Sequence, residues 1–176
     1  MKKLMPSLVN RYVKLKFFNE NLVNNAYLKL FKDRSIRKFL KVEKNYNLKK
    51  ARNYFKKFFC TSKNLFWFIF KDDKNIGTIS LRYNKNKFYL GYMIGYKKYW
   101  GKKESIDSQN IIIDYAFNKL KINEILASCN RYNLSSGFSL IKSGFEYYKK
   151  KDDILLFRLK KKNWKKKVYY QYKNEI

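Results

Sequence analysis

Apolar and polar positions alternate from Arg11 to Phe18, with Val13, Leu15 and Phe17 set against Tyr12, Lys14 and Lys16, which predicts a half-buried strand. Asn19 or Asn21 then offers a cap for a helix running through Leu30 and Phe31. Asn45 or Asn47 opens a second helix, whose Ala51, Tyr54, Phe55, Phe58 and Phe59 share one face. Leu65 to Phe70 is an unbroken apolar run suited to a central strand, with Phe66 and Trp67 in the core. Polar turns at Asp72 to Asn75 and Asn84 to Lys87 separate strands over Ile76 to Tyr83 and Phe88 to Gly95, giving a meander.

Ser105 to Leu120 carries the strongest helical period, with Ile106, Ile113, Ala116, Phe117 and Leu120 near one face. A strand over Ile122 to Asn130 follows, then a short helix over Ser135 to Ser143 with Gly144 as its C-terminal glycine. Phe145 to Lys149 and Ile154 to Leu159 form a last hairpin around Lys150 to Asp153. The predicted order is β-α-α-β-β-β-α-β-α-β-β. Its strand-helix-strand units call for right-handed crossovers, and a mixed α/β sheet with helices on both faces is the natural closure. One domain over residues 1–160 and a basic, aromatic tail over 161–176 are expected, with no internal repeat or linker.

Composition narrows the function classes. The chain has 176 residues, 45% of them hydrophobic, enough for a core and too apolar for a disordered chain. It contains no histidine, which excludes Ser-His-Asp and Cys-His hydrolases and removes the commonest metal ligand. Cys60 and Cys129 are too few and too far apart for a zinc site or a disulfide framework, so no metal is expected and a reducing, cytoplasmic setting fits. No apolar run reaches the roughly 18 residues of a membrane span, and the N-terminus reads as no signal peptide. The net charge of +29 has two readings, a polyanion-binding surface or the bias of a lysine- and asparagine-rich proteome. Its even spread along the chain favours the second.

Chemistry concentrates between Tyr92 and Phe145. In YMIGYKKYWGKKESID a strand ends, a polar turn follows and a helix begins. A helix N-terminus offers unpaired N–H groups and partial positive charge, and Lys102 and Lys103 add full charge, so Trp100, Gly101, Lys102, Lys103, Glu104 and Ser105 form a candidate diphosphate site. Cys129 near the next strand's end reads as a small core residue before a transient acyl carrier. Trp100 can pack on a ligand or close the turn. Tyr169, Tyr170 and Tyr172 among lysines can stack on bases, although a frayed tail is the simpler expectation.

The wording GYMIGYKKYWGK before the long helix, DYAF within it and NLSSGFSLIKSGF after the next strand resembles GNAT-type N-acetyltransferases, in the branch of the ribosomal-protein alanine acetyltransferases. RYVKLKFF, LFKDRSIRKFL and FWFIFKDDKNIGTISL extend the resemblance over residues 10–160. The resemblance implies the acyl-coenzyme A N-acyltransferase fold and acetyl-CoA as co-substrate. It implies that the strand ending at Met93, Ile94 and Gly95 splays from the strand ending at Asn130. The pantetheine arm would lie in that gap, with backbone N–H groups near Met93 to Gly95 polarising the thioester carbonyl. The diphosphate would sit on Trp100 to Ser105, with Asn133 and Ser136 on the other flank. The amine would attack directly, and the enzyme would chiefly position the reactants.

Three positions depart from the family pattern. Lys103 stands where the phosphate loop has glycine, Leu140 where relatives carry a tyrosine that protonates the leaving thiolate, and Tyr89 where this branch often has glutamate. The base is therefore open among Glu104, Asp107, a water chain and the substrate itself, with Asn133 a further candidate beside them. The expected acceptor is a primary amine, on a nucleotide-linked amino sugar first and on a ribosomal-protein N-terminus second. A catalytically silent module binding RNA through its basic surface is the reading from another class.

Overall fold

A computed structural model describes residues 6–40 and 42–173. The described strands form one mixed sheet in the order β7-β8-β6-β5-β4-β3-β2-β1-β9. β1 is Ser7–Val9, β2 Lys14–Phe17, β3 Leu65–Lys71, β4 Lys74–Asn84 and β5 Lys87–Ile94; β6 is Glu124–Asn130, β7 Glu146–Lys151, β8 Ile154–Lys160 and β9 Gln171–Lys173. The helices are α1 Asn25–Lys29, α2 Arg34–Arg37, α3 Leu48–Phe58, α4 Lys103–Asn118 and α5 Leu134–Lys142. Every neighbouring strand pair is antiparallel except β5 with β6. The expected mixed α/β architecture with helices on both faces is observed.

Alternation along the central strands sorts two cores. On β3, Trp67 and Ile69 join α4 residues such as Ile112 and Phe117 in one core, while Phe66 and Phe68 turn to the other face, against Tyr27 of α1 and Phe55 of α3. Trp67 is fully buried, as its apolar surroundings in sequence required. The meander turns are two-residue hairpins with positive φ at both Asp72 and Asp73, and at both Lys85 and Asn86, which matches strand twist. Gly144 ends α5 at φ +95, the left-handed conformation expected of it.

Four local expectations are corrected. The first strand begins at Lys14, because the Asn10 side chain accepts from the Tyr12 and Val13 amides and makes a turn; Ser7–Val9 then pairs with β2 as an additional strand. The predicted first helix is broken into a 3₁₀ turn capped by Asn19 and α1 capped by Asn24, and an unpredicted α2 capped by Asp33 follows it, since each side chain offers the backbone an alternative to helix continuation. Helix α4 is buried almost all round instead of on one face, because α5 and the C-terminal segment cover its outer side.

The fourth correction concerns the tail. Residues 161–173 do not fray. Trp164 Nε1 and Tyr170 Oη donate to the two carboxylate oxygens of buried Asp114, at 3.3 and 3.2 Å, and Val168 enters the core. β9 then pairs with β1 at the sheet edge. Tyr169 alone of the three tail tyrosines is widely exposed, at 86%.

Candidate active site

β5 and β6 share parallel register only from Phe88–Leu90 against Ile125–Ala127. Beyond Leu90 each strand keeps its other neighbour: β5 stays on β4 up to Ile94, and β6 stays on β8 up to Asn130. The strands therefore part without either unfolding, and a cleft of about 160 Å³ opens between them. Tyr92, Met93 and Ile94 form one wall and Ser128, Cys129 and Asn130 the other; Trp100, Gly101 and Ser105 close one end, with Asn133 and Ser136 beside them.

The Gly95 N–H donates to Ile76 O at 2.8 Å. Donor direction alternates along an antiparallel strand, so Met93 also turns its N–H to β4, and Tyr92 and Ile94 present theirs to the gap. Trp100 Nε1 donates to Ile94 O at 3.0 Å, which marks the same side. Of the expected trio Met93, Ile94 and Gly95, only Ile94 thus offers its amide to the cleft. Gly95 is needed for another reason: a Cβ there would lie 2.6 Å from Leu30 Cδ2.

The turn before α4 is built for close backbone approach. Gly101 has φ +67, and a Cβ there would meet nothing within 4 Å. No side chain caps α4 at Lys102, so the first-turn N–H groups near Ser105 remain open. Lys103 is the first residue of α4, where ordinary helical backbone suffices; the left-handed position belongs to Gly101 instead. The lysine therefore does not strain the loop. Its side chain lines a different groove of about 640 Å³, with Arg11, Lys167 and Lys173. Lys102 and Lys103 are both exposed and leave the helix start electropositive.

The candidate bases fall elsewhere. Asp107 accepts from Asn10 Nδ2 at 2.8 Å and faces the Lys103 groove, and Glu104 lines neither that groove nor the cleft. Asn133 lies at the cleft, where its Oδ1 accepts from Ser136 N at 3.3 Å and Ser135 Oγ at 3.2 Å, a helix-capping duty for α5. Leu140 is buried in the core.

Tyr92 is the residue sequence reasoning missed. The alternation of β5 places it with Leu90 and Ile94, which was the available signal. Its Oη donates to Ser136 Oγ at 3.4 Å. Gln109 Nε2 donates to Ser139 Oγ at 2.5 Å, so α4, α5 and β5 meet in a small polar cluster. Burial pushes the Tyr92 hydroxyl above the ordinary tyrosine value, with Ser136 and Ser139 partly opposing. Burial likewise raises the Cys129 thiol, so it stays protonated and packs as a small buried side chain.

A second cavity of about 570 Å³ lies on the α1/α3 face. Its floor is Thr78, Ser80, Arg82 and Asn84 from β4, with Tyr89, Gly91 and Met93 from β5; its walls include Tyr27, Tyr46 and Tyr54. Tyr92, Met93, Ser128 and Leu40 line both cavities, so the two meet where the strands part. Among the described residues no carboxylate lines either one.

Comparison with known proteins names this architecture. The sequence model of the acetyltransferase (GNAT) domain matches residues 15–146. The chain belongs to the GNAT acetyltransferase family. "Probable N-acetyltransferase YjcK" of Bacillus subtilis is 35% identical over 82 residues; that match covers 44% of this chain and 45% of the relative, so the chain spans less than half of that relative's length. A crystal structure of a probable GNAT-family acetyltransferase from Chromobacterium violaceum superposes with a TM-score of 0.79 at 15% identity, covering 93% of this chain and 90% of the other. Microcin C7 self-immunity acetyltransferase MccE, crystallised with acetyl-CoA and AMP, superposes at 0.74 and 16% identity, covering 86% and 93%. At such identities the solved structures speak for the shared GNAT fold alone. Among the described residues no helix is long and apolar enough to cross a membrane, and no cluster of acidic and cysteine side chains could hold a metal.

Proposed function

We propose that the protein transfers an acetyl group from acetyl-CoA to a primary amine, with the co-substrate in the β5–β6 cleft and the acceptor in the larger cavity beside it. The observation that carries this reading is their meeting at Tyr92, Met93 and Ser128, which puts an acyl donor and an amine at one point. The residues fit the co-substrate. Tyr92 and Ile94 offer unpaired strand edge to the pantetheine arm, and Ile94 N–H is the backbone donor for the carbonyl oxygen. Gly101 and the open first turn of α4 through Ser105 receive the diphosphate, while Lys102, Lys103 and Glu104 set the local charge. Asn133 and Ser136 bound the opposite flank. Acetyl-CoA supplies the activated acetyl group.

Tyr92 Oη is the proton source this cleft offers where Leu140 leaves none. It is protonated at neutral pH and reaches the cleft from β5 instead of α5. With no described carboxylate lining either cavity, the ammonium proton of the acceptor passes to water before the free amine attacks. For the acceptor we favour an amino sugar, carried on a nucleotide, over a protein N-terminus. Tyrosine faces and the hydroxyls of Thr78 and Ser80 suit a polyhydroxylated ring.

Calorimetry with acetyl-CoA tests the co-substrate site. Micromolar binding is expected, weakened about tenfold in Gly101→Val, because a β-branched residue at φ +67 costs roughly 1–2 kcal/mol. No binding by the folded protein overturns the reading. An amine screen read by thiol release then ranks amino sugars against N-terminal peptides.

A further inference from the structure

The acceptor cavity carries its charge in one place. Among the described residues that line it, Arg82 is the one with a formal charge, and none is acidic. Arg82 Nη2 donates to Tyr54 Oη at 3.4 Å, and its guanidinium stands 5.4 Å over the Phe58 ring. Both contacts come from α3 and neutralise nothing. No described carboxylate forms an ion pair with it. An uncompensated guanidinium facing a cavity is a binding group for an oxyanion.

Position adds the second argument. Thr78, Ser80 and Arg82 are alternate residues of β4 on one face, and Thr78 pairs with Met93 at the junction of the cavities. Arg82 is four residues further along, roughly 13 Å at about 3.3 Å per residue. A sugar ring and its linkage, met by a side chain as long as arginine, are enough to bridge that span. Between the two ends the floor opens at Gly91, which presents no side chain. A purely cationic acceptor would meet the Arg82 charge in a protein of net charge +29.

We propose that Arg82 anchors an oxyanion, phosphoryl or carboxylate, on the acceptor, so that the substrate class is an anionic amine: the amine lies at Met93 and Tyr92, and the anion about one sugar ring away at Arg82. This rests on the acceptor cavity assigned above. It makes Arg82 a specificity residue that touches substrate without taking part in the chemistry.

Calorimetry on protein saturated with CoA separates the two readings, since CoA first occupies the other anion site. The probes are glucosamine, glucosamine 6-phosphate and 2-amino-2-deoxyglucuronic acid, which present no oxyanion, a phosphoryl group and a carboxylate at carbon 6 of one hexosamine. An oxyanion-bearing probe is expected to bind at least about tenfold tighter than glucosamine, and that preference to fall below about twofold in Arg82→Gln. Whichever of the two oxyanions binds better identifies the chemistry. Arg82 is exposed, so the variant is expected to keep its melting temperature and CoA affinity. Equal binding of all three probes, binding of none, or a preference that survives in Arg82→Gln overturns the proposal. CoA binding retained in any of those cases leaves the acetyltransferase reading standing, whereas loss of CoA binding by the wild type defeats that reading instead.

Discussion

Tyr92→Phe removes one oxygen from the junction of the two cavities. Its structural cost is small: the Tyr92–Ser136 contact is 3.4 Å long, at the outer limit of a hydrogen bond, and phenylalanine keeps the ring. Losing such a bond costs at most about 1 kcal/mol, a melting shift of roughly 2–4 °C in a chain of this size. The catalytic cost should be larger. A positioned proton donor contributes typically 10²–10⁴-fold, so kcat should fall at least about 10²-fold, equivalent to about 2.7 kcal/mol in the barrier. The Kd for acetyl-CoA should hardly change, because strand backbone carries the pantetheine arm and the Tyr92 hydroxyl meets the thiolate only as it leaves. The assay is thiol release with the best amine from the screen, with acetyl-CoA compared against an acetyl thioester of a more acidic thiol. A better leaving group needs less protonation, so the deficit of the variant should shrink with that donor. Since burial raises the Tyr92 value, the wild-type rate should hold into alkaline pH instead of declining as an ordinary tyrosine ionises. A kcat within about threefold of wild type, or a deficit equal for both thioesters, refutes Tyr92 as the donor.

Two stability predictions accompany it. Gly95→Ala should lower the melting temperature, because its Cβ would come within 2.6 Å of Leu30 Cδ2 and 2.9 Å of the Leu30 backbone; overpacking of this kind costs about 1–3 kcal/mol. Gly91→Ala, whose Cβ meets only the rotatable Ser80 hydroxyl at 3.1 Å, should be nearly silent in the same melting scan. Trp164→Phe and Tyr170→Phe should each cost about 1.5–3 kcal/mol by chemical denaturation, because each removes a donor to the buried Asp114 carboxylate, while Tyr169→Phe should change nothing. Unchanged denaturation midpoints in the first two variants would mean the C-terminal segment does not hold to α4.

Much of the architecture is legible in the chain because it depends on neighbours in sequence. Paired residues with positive φ close the meander hairpins, Asn47 caps α3, and Gly144 ends α5. The Trp100-to-Ser105 turn was readable for the same reason, since turn chemistry acts over a few residues, whereas the capping role of Asn133 emerged only from the structure. The long α4 was legible in extent but not in environment. A helical period shows which face is apolar; it does not show that Trp164 and Tyr170 from some fifty residues away will satisfy Asp114 on the other side. The basic tail looked frayed because its partners lie on α4 and at the N-terminal strand, contacts with no local signature.

The site divides along the same line. The chain alone set a strand, a glycine turn and a helix start, because each needs only backbone conformation and adjacent residues. Only the tertiary structure decided which groups meet there. Pairing β5 to β4 aims the Gly95 N–H at Ile76 and leaves Tyr92 and Ile94 facing the gap. Folding α4 across the sheet carries Asp107 and Lys103 away from the cleft, while β4 aligns Arg82 with a cavity whose walls come from helices some thirty to fifty residues earlier. Direction, and distance between chain-remote groups, arise from packing, and a linear chain holds no record of either until it is folded.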